Sequence, residues 1–264
     1  MSETDLARRL EVAERVAKEA GALALDYFRN RDRLAIEHKG KQDLVSIADR
    51  DVETLIRRQL SAAFPGDEFI GEEEGGTEAD HLWVIDPIDG TLNFLRGISS
   101  WAVVIAWVEQ GRTLLGVTYD PVHDELWTAR RGHGAFRNGQ RIAVTPTASP
   151  DQAVVGLTFN FKQPAEPYAT LVRQLAEHGF EHRRMGSTAI QLCYVADGRI
   201  DALVTLNCSS WDVLPGLLTV EEASGQATDF VAEHGFLGKG GAIASNAGLA
   251  EVIGKVAGLG FGGA

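Results

Sequence analysis

Apolar residues recur at steps of three and four from the start of the chain: Leu6, Leu10, Ala13, Ala17, Ala20, Ala24 and Tyr27. The spacing predicts one packing helix of about six turns. A second stripe, Val52, Leu55, Ile56, Leu60 and Ala63, predicts another helix, which Pro65-Gly66 ends. The pattern then changes to runs. Leu82 to Ile85 is a continuous apolar segment that predicts a buried strand ending on Asp86. Segments 101–108, 113–119 and 125–129 predict a β meander, turned at Gln110-Gly111 and Asp120-Pro121 and closed by an Asn138-Gly139 hairpin. Beyond Pro150, a strand is predicted over 153–158, a helix over 165–178 and a helical stripe through Ile190, Cys193 and Tyr194. A strand over 200–206 leads into a helix that ends at Ser224-Gly225. Strands at 227–231 and 241–244 and a helix over 247–257 complete the reading.

The densest break in this pattern, with Pro146 and Pro150, divides the chain into an α+β part over 1–145 and an α/β part over 146–264. With 264 residues, 44% apolar and 23% charged, the composition is that of a globular protein with a large core. The net charge of −12 argues against nucleic acid or an anionic membrane as the partner. An acidic protein that handles phosphate also needs cations to bring the two together. No apolar run reaches the ~18 residues of a membrane span, and the first residues do not read as a secretory signal, so a cytoplasmic location is expected. Cys193 and Cys208 are the only cysteines; two thiols make no zinc site, and Cys193 reads as a small buried hydrophobe.

Candidate chemistry collects at element boundaries. The predicted strand at 82–85 runs into Asp86, Pro87, Ile88, Asp89, Gly90 and Thr91. Two carboxylates on a stiff turn suit a hard divalent cation, and a helix starting at Thr91 would offer free N–H groups to an anion beside it. An ordinary Asp/Gly/Pro turn is the plainer alternative. Gly71 precedes Glu72, Glu73 and Glu74, a run that is either solvated surface or a loop with one carboxylate aimed inward. Ser46-x-x-Asp49 has the form of a helix capping box, which would make Asp49 structural. Trp211-Asp212 opens the helix after the strand at 200–206.

Together these landmarks resemble the inositol monophosphatase family of Mg2+-dependent, lithium-sensitive phosphatases. The resemblance rests on Gly71-Glu72-Glu73, on the run from Asp86 to Phe94, and on Trp211-Asp212. Asp43-Leu44-Val45-Ser46 with Asp49 and Gly186-Ser187 support it. It implies a layered αβαβα sandwich of the inositol monophosphatase and fructose-1,6-bisphosphatase type. Homodimers are common in the family. It implies that Glu72, Asp86 and the Ile88 carbonyl hold one Mg2+, that Asp86, Asp89 and Asp212 hold a second, and that a looser third sits near Glu72. Gly90 and Thr91 N–H groups would take the phosphate. Glu72, the Thr91 hydroxyl and Asp49 would orient and deprotonate the attacking water, with Asp43 and Glu73 behind them. Five carboxylates in one cleft need cations between them, and paired ions can lower the pKa of water for an in-line attack on phosphorus.

The implied substrate is a small phosphorylated polyol, sugar or related metabolite. Family members that handle inositol carry an acidic residue seven positions before the Asp of Trp-Asp. Thr205 stands there, in the implied pocket with Gly186 and Ser187, so inositol does not follow from the resemblance. Leu214-Pro215-Gly216 replaces the usual small residues, with Pro215 expected in a first helical turn. Fructose 1,6-bisphosphate, 3′-phosphoadenosine nucleotides and histidinol phosphate are the same-fold alternatives, and a non-catalytic regulatory protein is the alternative of another class. The haloacid-dehalogenase signature, with one residue between its aspartates, is not met: its nucleophile would fall on Pro87.

Overall fold

Residues His81–Asp89 form the strand about which the layers stack, and its side chains show why. Leu82 and Val84 face one buried layer while Trp83 and Ile85 face another. Alternation with both faces covered reads in sequence as an unbroken apolar run. The computed structural model describes residues 2–31, 36–40, 43–160 and 162–262; the side chains of 36–40 and 43–45, Asp43 included, lie outside the described set.

In chain order the elements begin with α1 (Glu3–Arg29), β1 (Ile36–Gly40), β2 (Asp43–Ser46), α2 (Ile47–Ala63), β3 (Glu68–Gly71), β4 (Gly75–Gly76), β5 (His81–Asp89) and α3 (Thr91–Arg96). The meander is β6 (Ala102–Glu109), β7 (Arg112–Asp120), β8 (Glu125–Arg130), β9 (Gly134–Arg137) and β10 (Gln140–Arg141). Then come β11 (Val154–Thr158), α4 (Ala165–Glu177), β12 (Glu181–Arg183), α5 (Thr188–Ala196), β13 (Ala202–Ser209) and α6 (Ser210–Glu222). The chain closes with β14 (Gln226–Ala227), α7 (Phe230–His234), β15 (Lys239–Ser245) and α8 (Ala250–Ala257). The larger sheet has the order β10-β9-β8-β7-β6-β5-β3-β4, and the smaller β12-β11-β13-β15-β14.

Packed apolar cores fill the spaces between five layers. Ala13, Ala17, Val52 and Ile56 of α1 and α2 pack on Trp83, Val103 and Ile105 of the larger sheet. Leu192 and Val195 of α5 and Val213 and Leu217 of α6 fill the space between the sheets, against Val84, Ala106, Leu203 and Ala244. Leu171 and Leu175 of α4, with Ile253 and Val256 of α8, cover the outer face of the smaller sheet. The order is therefore the expected αβαβα. The larger sheet lies within 68–141 and the smaller within 154–245, and α6 joins them by packing on strands of both. Among the described residues no helix is long and apolar enough to cross a membrane.

Three expectations are corrected. The strand at 81–89 runs past Asp86 to Asp89, because a register shift between the two aspartates absorbs Pro87 and lets pairing with β6 resume at Ala102. The strand expected over 227–231 is cut short at Ala227, the end of β14: Asp229 accepts the Ala232 N–H at 3.2 Å and starts α7 instead. Pro215 lies in the second turn of α6, because the helix already starts at Ser210. Its ring removes the N–H that would meet the Trp211 carbonyl. The Thr219 hydroxyl donates to the Pro215 carbonyl at 2.7 Å.

The backbone of Pro215 presses on β7 where only glycine fits. A Cβ at Gly116 would stand 2.7 Å from the Pro215 carbonyl oxygen and 2.9 Å from its Cα. Gly116→Ala is expected to cost about 1–3 kcal/mol. The check is a lower urea midpoint with an unchanged slope.

Candidate metal centre and cleft

The two aspartates of β5 are held by different neighbours. Asp86 is 1% exposed and accepts the Ile88 N–H at 3.0 Å, which fixes its carboxylate across the shifted stretch of the strand. Asp89 reaches out of the larger sheet to the start of α5. Its Oδ2 accepts the Ser187 hydroxyl and, at 2.7 Å, the Ala189 N–H. Ser187 also caps α5 by accepting the Ile190 N–H at 3.1 Å. Gly90 follows with φ 97°, a left-handed conformation, and a Cβ there would lie 2.9 Å from the Ser100 carbonyl oxygen. The Thr91 hydroxyl, one residue on, donates to the Ile88 carbonyl at 3.1 Å. Asn93 ties α3 to the loop before α5 by donating to the Ser100 and Met185 carbonyls at 2.8 and 2.7 Å. Gly186 sits so close that a Cβ would meet the Asn93 amide nitrogen at 2.6 Å.

The same capping device delivers two further carboxylates. At the start of α2, Asp49 accepts the Ser46 N–H at 2.9 Å and the Ser46 hydroxyl at 2.8 Å. At the start of α6, Asp212 accepts the Ser209 N–H at 2.8 Å. Asp49 is thus a capping residue, and its charge also acts on Asp86, so the cap and the acidic site share one side chain. Ser209-Ser210-Trp211-Asp212 carries the same Ser-x-x-Asp pattern as Ser46 to Asp49. That repeated pattern is the sequence signal for a cap at Asp212.

Asp86, Asp89 and Asp212 each offer a carboxylate oxygen, all within 4.8 Å of one another. Burial and then the charges of Glu72, Asp89 and Asp212 raise the pKa of Asp86 well above the ordinary carboxylate range. Burial pushes Asp89 up to about 6 against the pull of its Ser187 and Ala189 hydrogen bonds. Burial and the charge of Asp89 push Asp212 up to about 7. Asp49 is pushed up to about 6 by burial, with Glu73 adding repulsion and the Ser46 hydrogen bonds opposing it. Oxygen donors that repel one another this strongly and have, among the described residues, no buried cationic side chain between them fit a divalent cation.

The glutamate loop is held by a residue the sequence reading passed over. Glu53 of α2 is fully buried and accepts the Glu73 N–H at 2.8 Å and the Glu74 N–H at 3.2 Å. Arg57 pairs with it at 2.8 Å and donates onward to the Gly75 carbonyl at 2.6 Å. Gly71 makes room for this carboxylate: a Cβ there would lie 2.1 Å from Glu53 Oε1. The Glu72 N–H meets the Ile85 carbonyl at 3.3 Å, so the loop is fastened to β5 beside Asp86. Glu74 accepts the Thr54 hydroxyl at 2.9 Å at the rim. Asp49, Glu53 and Arg57 follow one another at four-residue steps, which was the available clue that Glu53 shares the face of Asp49.

A cleft of about 240 Å³ opens over these groups. Glu72, Asp89, Gly90, Thr91 and Asp212 line it together with Thr158, Asn160, Lys162, Arg184 and Asn207. Gly186 lines the cleft, whereas Ser187 is buried beneath Asp89. Thr205 does not line it. The residue is fully buried in β13, on the side of Leu203 that faces the middle layer, so its expected place in the pocket is corrected. Pro215 is likewise absent from the cleft wall. A larger cavity of about 710 Å³ lies elsewhere, between β7 and α6, and contains an Arg131–Glu221 ion pair but no acidic cluster.

A cluster of carboxylates from β5 and the start of α6, with a glycine turn beside it, is a site that could hold a metal ion. The comparisons with known proteins give the family. Residues 5–258 match the model of the inositol monophosphatase family, and the chain belongs to that family. It is 39% identical over 246 residues to the Nus factor SuhB of Pseudomonas aeruginosa, covering 90% of this chain and 91% of that protein. The extragenic suppressor protein suhB of Bartonella henselae superposes with a TM-score of 0.88 at 32% identity, over 94% of this chain and 97% of that one. The IMPase of Thermotoga maritima does so with a TM-score of 0.85 at 31% identity, over 95% and 97%.

Two outcomes follow. Glu53→Gln keeps the shape but turns an amide N–H toward the donors that the carboxylate accepts. Affinity for Mn2+, read from the electron paramagnetic resonance of the free ion, is expected to fall about tenfold. Unchanged affinity would show that Glu53 does not position the loop. The second outcome concerns pH. Asp49, Asp89 and Asp212 bind protons more tightly folded than unfolded, where the ordinary value is 3.8. Their stabilisation of the metal-free fold is therefore fully present below about pH 4 and lost as pH rises through about 6 to 7. In EDTA the protein is expected to melt several degrees higher at about pH 5 than at about pH 8, and Mg2+ to raise Tm more at the higher pH.

Proposed function

We propose that this protein is a Mg2+-dependent phosphomonoester hydrolase acting on a small phosphorylated metabolite. The observation that carries the reading is the convergence of Asp86 and Asp89 from β5 and Asp212 from the start of α6 onto one point beside the Gly90–Thr91 turn. Family membership supports the same reaction class.

In this reading Glu72, Asp86 and the Ile88 carbonyl would hold one ion, Asp86, Asp89 and Asp212 would hold a second, and Glu72 would border a looser third. Bound Mg2+ supplies Lewis acidity: it neutralises phosphate oxygens and lowers the pKa of water. The chain's own groups do the rest. The N–H groups of Gly90 and Thr91 bind phosphate at the turn, where Gly90 leaves the backbone bare. The Thr91 hydroxyl, already donating to the Ile88 carbonyl, has lone pairs free to accept from the attacking water. Asp49, with a pKa raised to about 6 before any cation is bound, is suited to take that proton near neutrality, aided by Glu72. Glu53, and with it Glu73, keeps the loop carrying Glu72 in place. Lithium is expected to inhibit by competing for a cation position.

A second reading comes from the name of the curated relative, Nus factor SuhB, a name that belongs to transcription. A non-catalytic role of that kind would use the fold as a binding surface. It also weighs against the expectation, drawn from the net charge, that nucleic acid is no partner. Phosphate release with Mg2+ across inositol phosphates, fructose 1,6-bisphosphate, 3′-phosphoadenosine nucleotides, glycerol phosphate and histidinol phosphate separates the two. Turnover of at least one supports the hydrolase; none sinks it. Asp212→Asn is expected to abolish turnover with circular dichroism unchanged, because an asparagine can still accept the Ser209 N–H. Near-normal activity in that variant would refute Asp212 as a ligand.

A further inference from the structure

Beside the cleft lies a second cavity of about 110 Å³. Thr158, Phe159, Asn160 and Asn207 line both spaces, so the two adjoin, with carboxylates lining only the first. The second is different in kind. Pro164, Pro167, Tyr168 and Leu206 close it, and no charged side chain among the described residues lines it. The rings of Phe159 and Tyr168 pack 4.9 Å apart at 36°, which makes them one aromatic wall. Amides of Asn160, Gln163 and Asn207 stand at its edge, each offering both a donor and an acceptor.

This second space is shaped against a polyhydroxylated leaving group. Hydroxyls around a ring's rim are matched by carboxylates, and this space has none among the described residues; Thr158 and the three amides stand beside Pro164, Pro167, Leu206 and the faces of Phe159 and Tyr168. Thr205, at the position where a hydroxyl-binding acid would stand, is buried out of reach. Volume narrows the choice further. An apolar cavity of about 150 Å³ accepts benzene, so a somewhat smaller open pocket takes one small ring and no fused system.

We propose that the leaving alcohol of the substrate carries a single small planar ring, which lies against Phe159 and Tyr168 while the phosphate sits at Gly90 and Thr91. The proposal rests on the hydrolase reading above and names its substrate class. The amides at the rim favour a ring with nitrogen at its edge.

The test compares histidinol phosphate and phenethyl phosphate with glycerol phosphate, in the full chain with Mg2+. The ring-bearing esters are expected to exceed glycerol phosphate in kcat/KM about tenfold. Tyr168→Ala is expected to raise KM for the ring-bearing esters about tenfold at similar kcat, with glycerol phosphate unaffected and Tyr168→Phe restoring the preference. Equal kcat/KM for all three esters, or a Tyr168→Ala effect common to all three, overturns the ring pocket and leaves the hydrolase standing. Inertness of all three in a protein that releases phosphate from inositol phosphates also overturns it. Inertness toward every phosphomonoester overturns the hydrolase reading and the ring pocket with it.

Discussion

Asp86, Asp89 and Asp212 bring carboxylate oxygens within 4.8 Å of one another inside the protein, and their mutual repulsion is the constraint on which the site depends. Left alone, such a cluster relieves itself by binding protons or by moving apart. Movement is blocked. Asp86 is fixed to the Ile88 N–H, Asp89 to Ser187 and Ala189 at the start of α5, and Asp212 to Ser209 at the start of α6. Each anchor is a hydrogen bond to the charged form, so the fold stabilises the carboxylate while burial opposes it. Protons or cations must then resolve the conflict, and at neutral pH a divalent cation resolves it better.

Helix starts solve the positioning problem economically. A carboxylate at the third position of a helix folds back on the residue before the helix and is rigid as a result. In α2 and α6 that rigidity serves Asp49 and Asp212, and the positive end of each helix dipole lies beside the negative charge it holds. Asp89 uses a third helix start without belonging to it, by caging its oxygen between the cap residue and the first turn of α5. The dichotomy between a structural cap and a functional carboxylate therefore dissolves at Asp49: the cap is what makes the carboxylate precise enough to act.

The glycines of the site are equally specific in their reasons. Gly71 is required because the Glu53 carboxylate occupies the space of its side chain, Gly90 because the backbone is left-handed and presses on Ser100, and Gly186 because Asn93 lies against it. Packing therefore extends the site well beyond its charged groups. The Glu53–Arg57 pair is the clearest case: a fully buried acid with no place in the cleft fixes a loop that borders it.

The sequence by itself determined the layers and the acidic landmarks. Helical stripes at 6–27 and 52–63 and the unbroken run at 82–85 reflect burial on one face or on two, which is a local signal. The spacing of Asp86 and Asp89, with Gly90 and Thr91, also survives in one dimension because a single turn carries it. The tertiary structure alone decided which residues share the cleft. Glu53 and Asp49 look alike along the helix, but only packing against the loop at 72–74 separates a clamp from a cap. Thr205 keeps the sequence position of a pocket residue, yet strand alternation turns it into the core, while Tyr168, in the first turn of α4, lines the space beside the cleft. Sequence spacing records what neighbours along the chain must do. Which distant side chains meet depends on how β11, β13 and the starts of α5 and α6 are brought together, and that is settled by the burial of the cores between them.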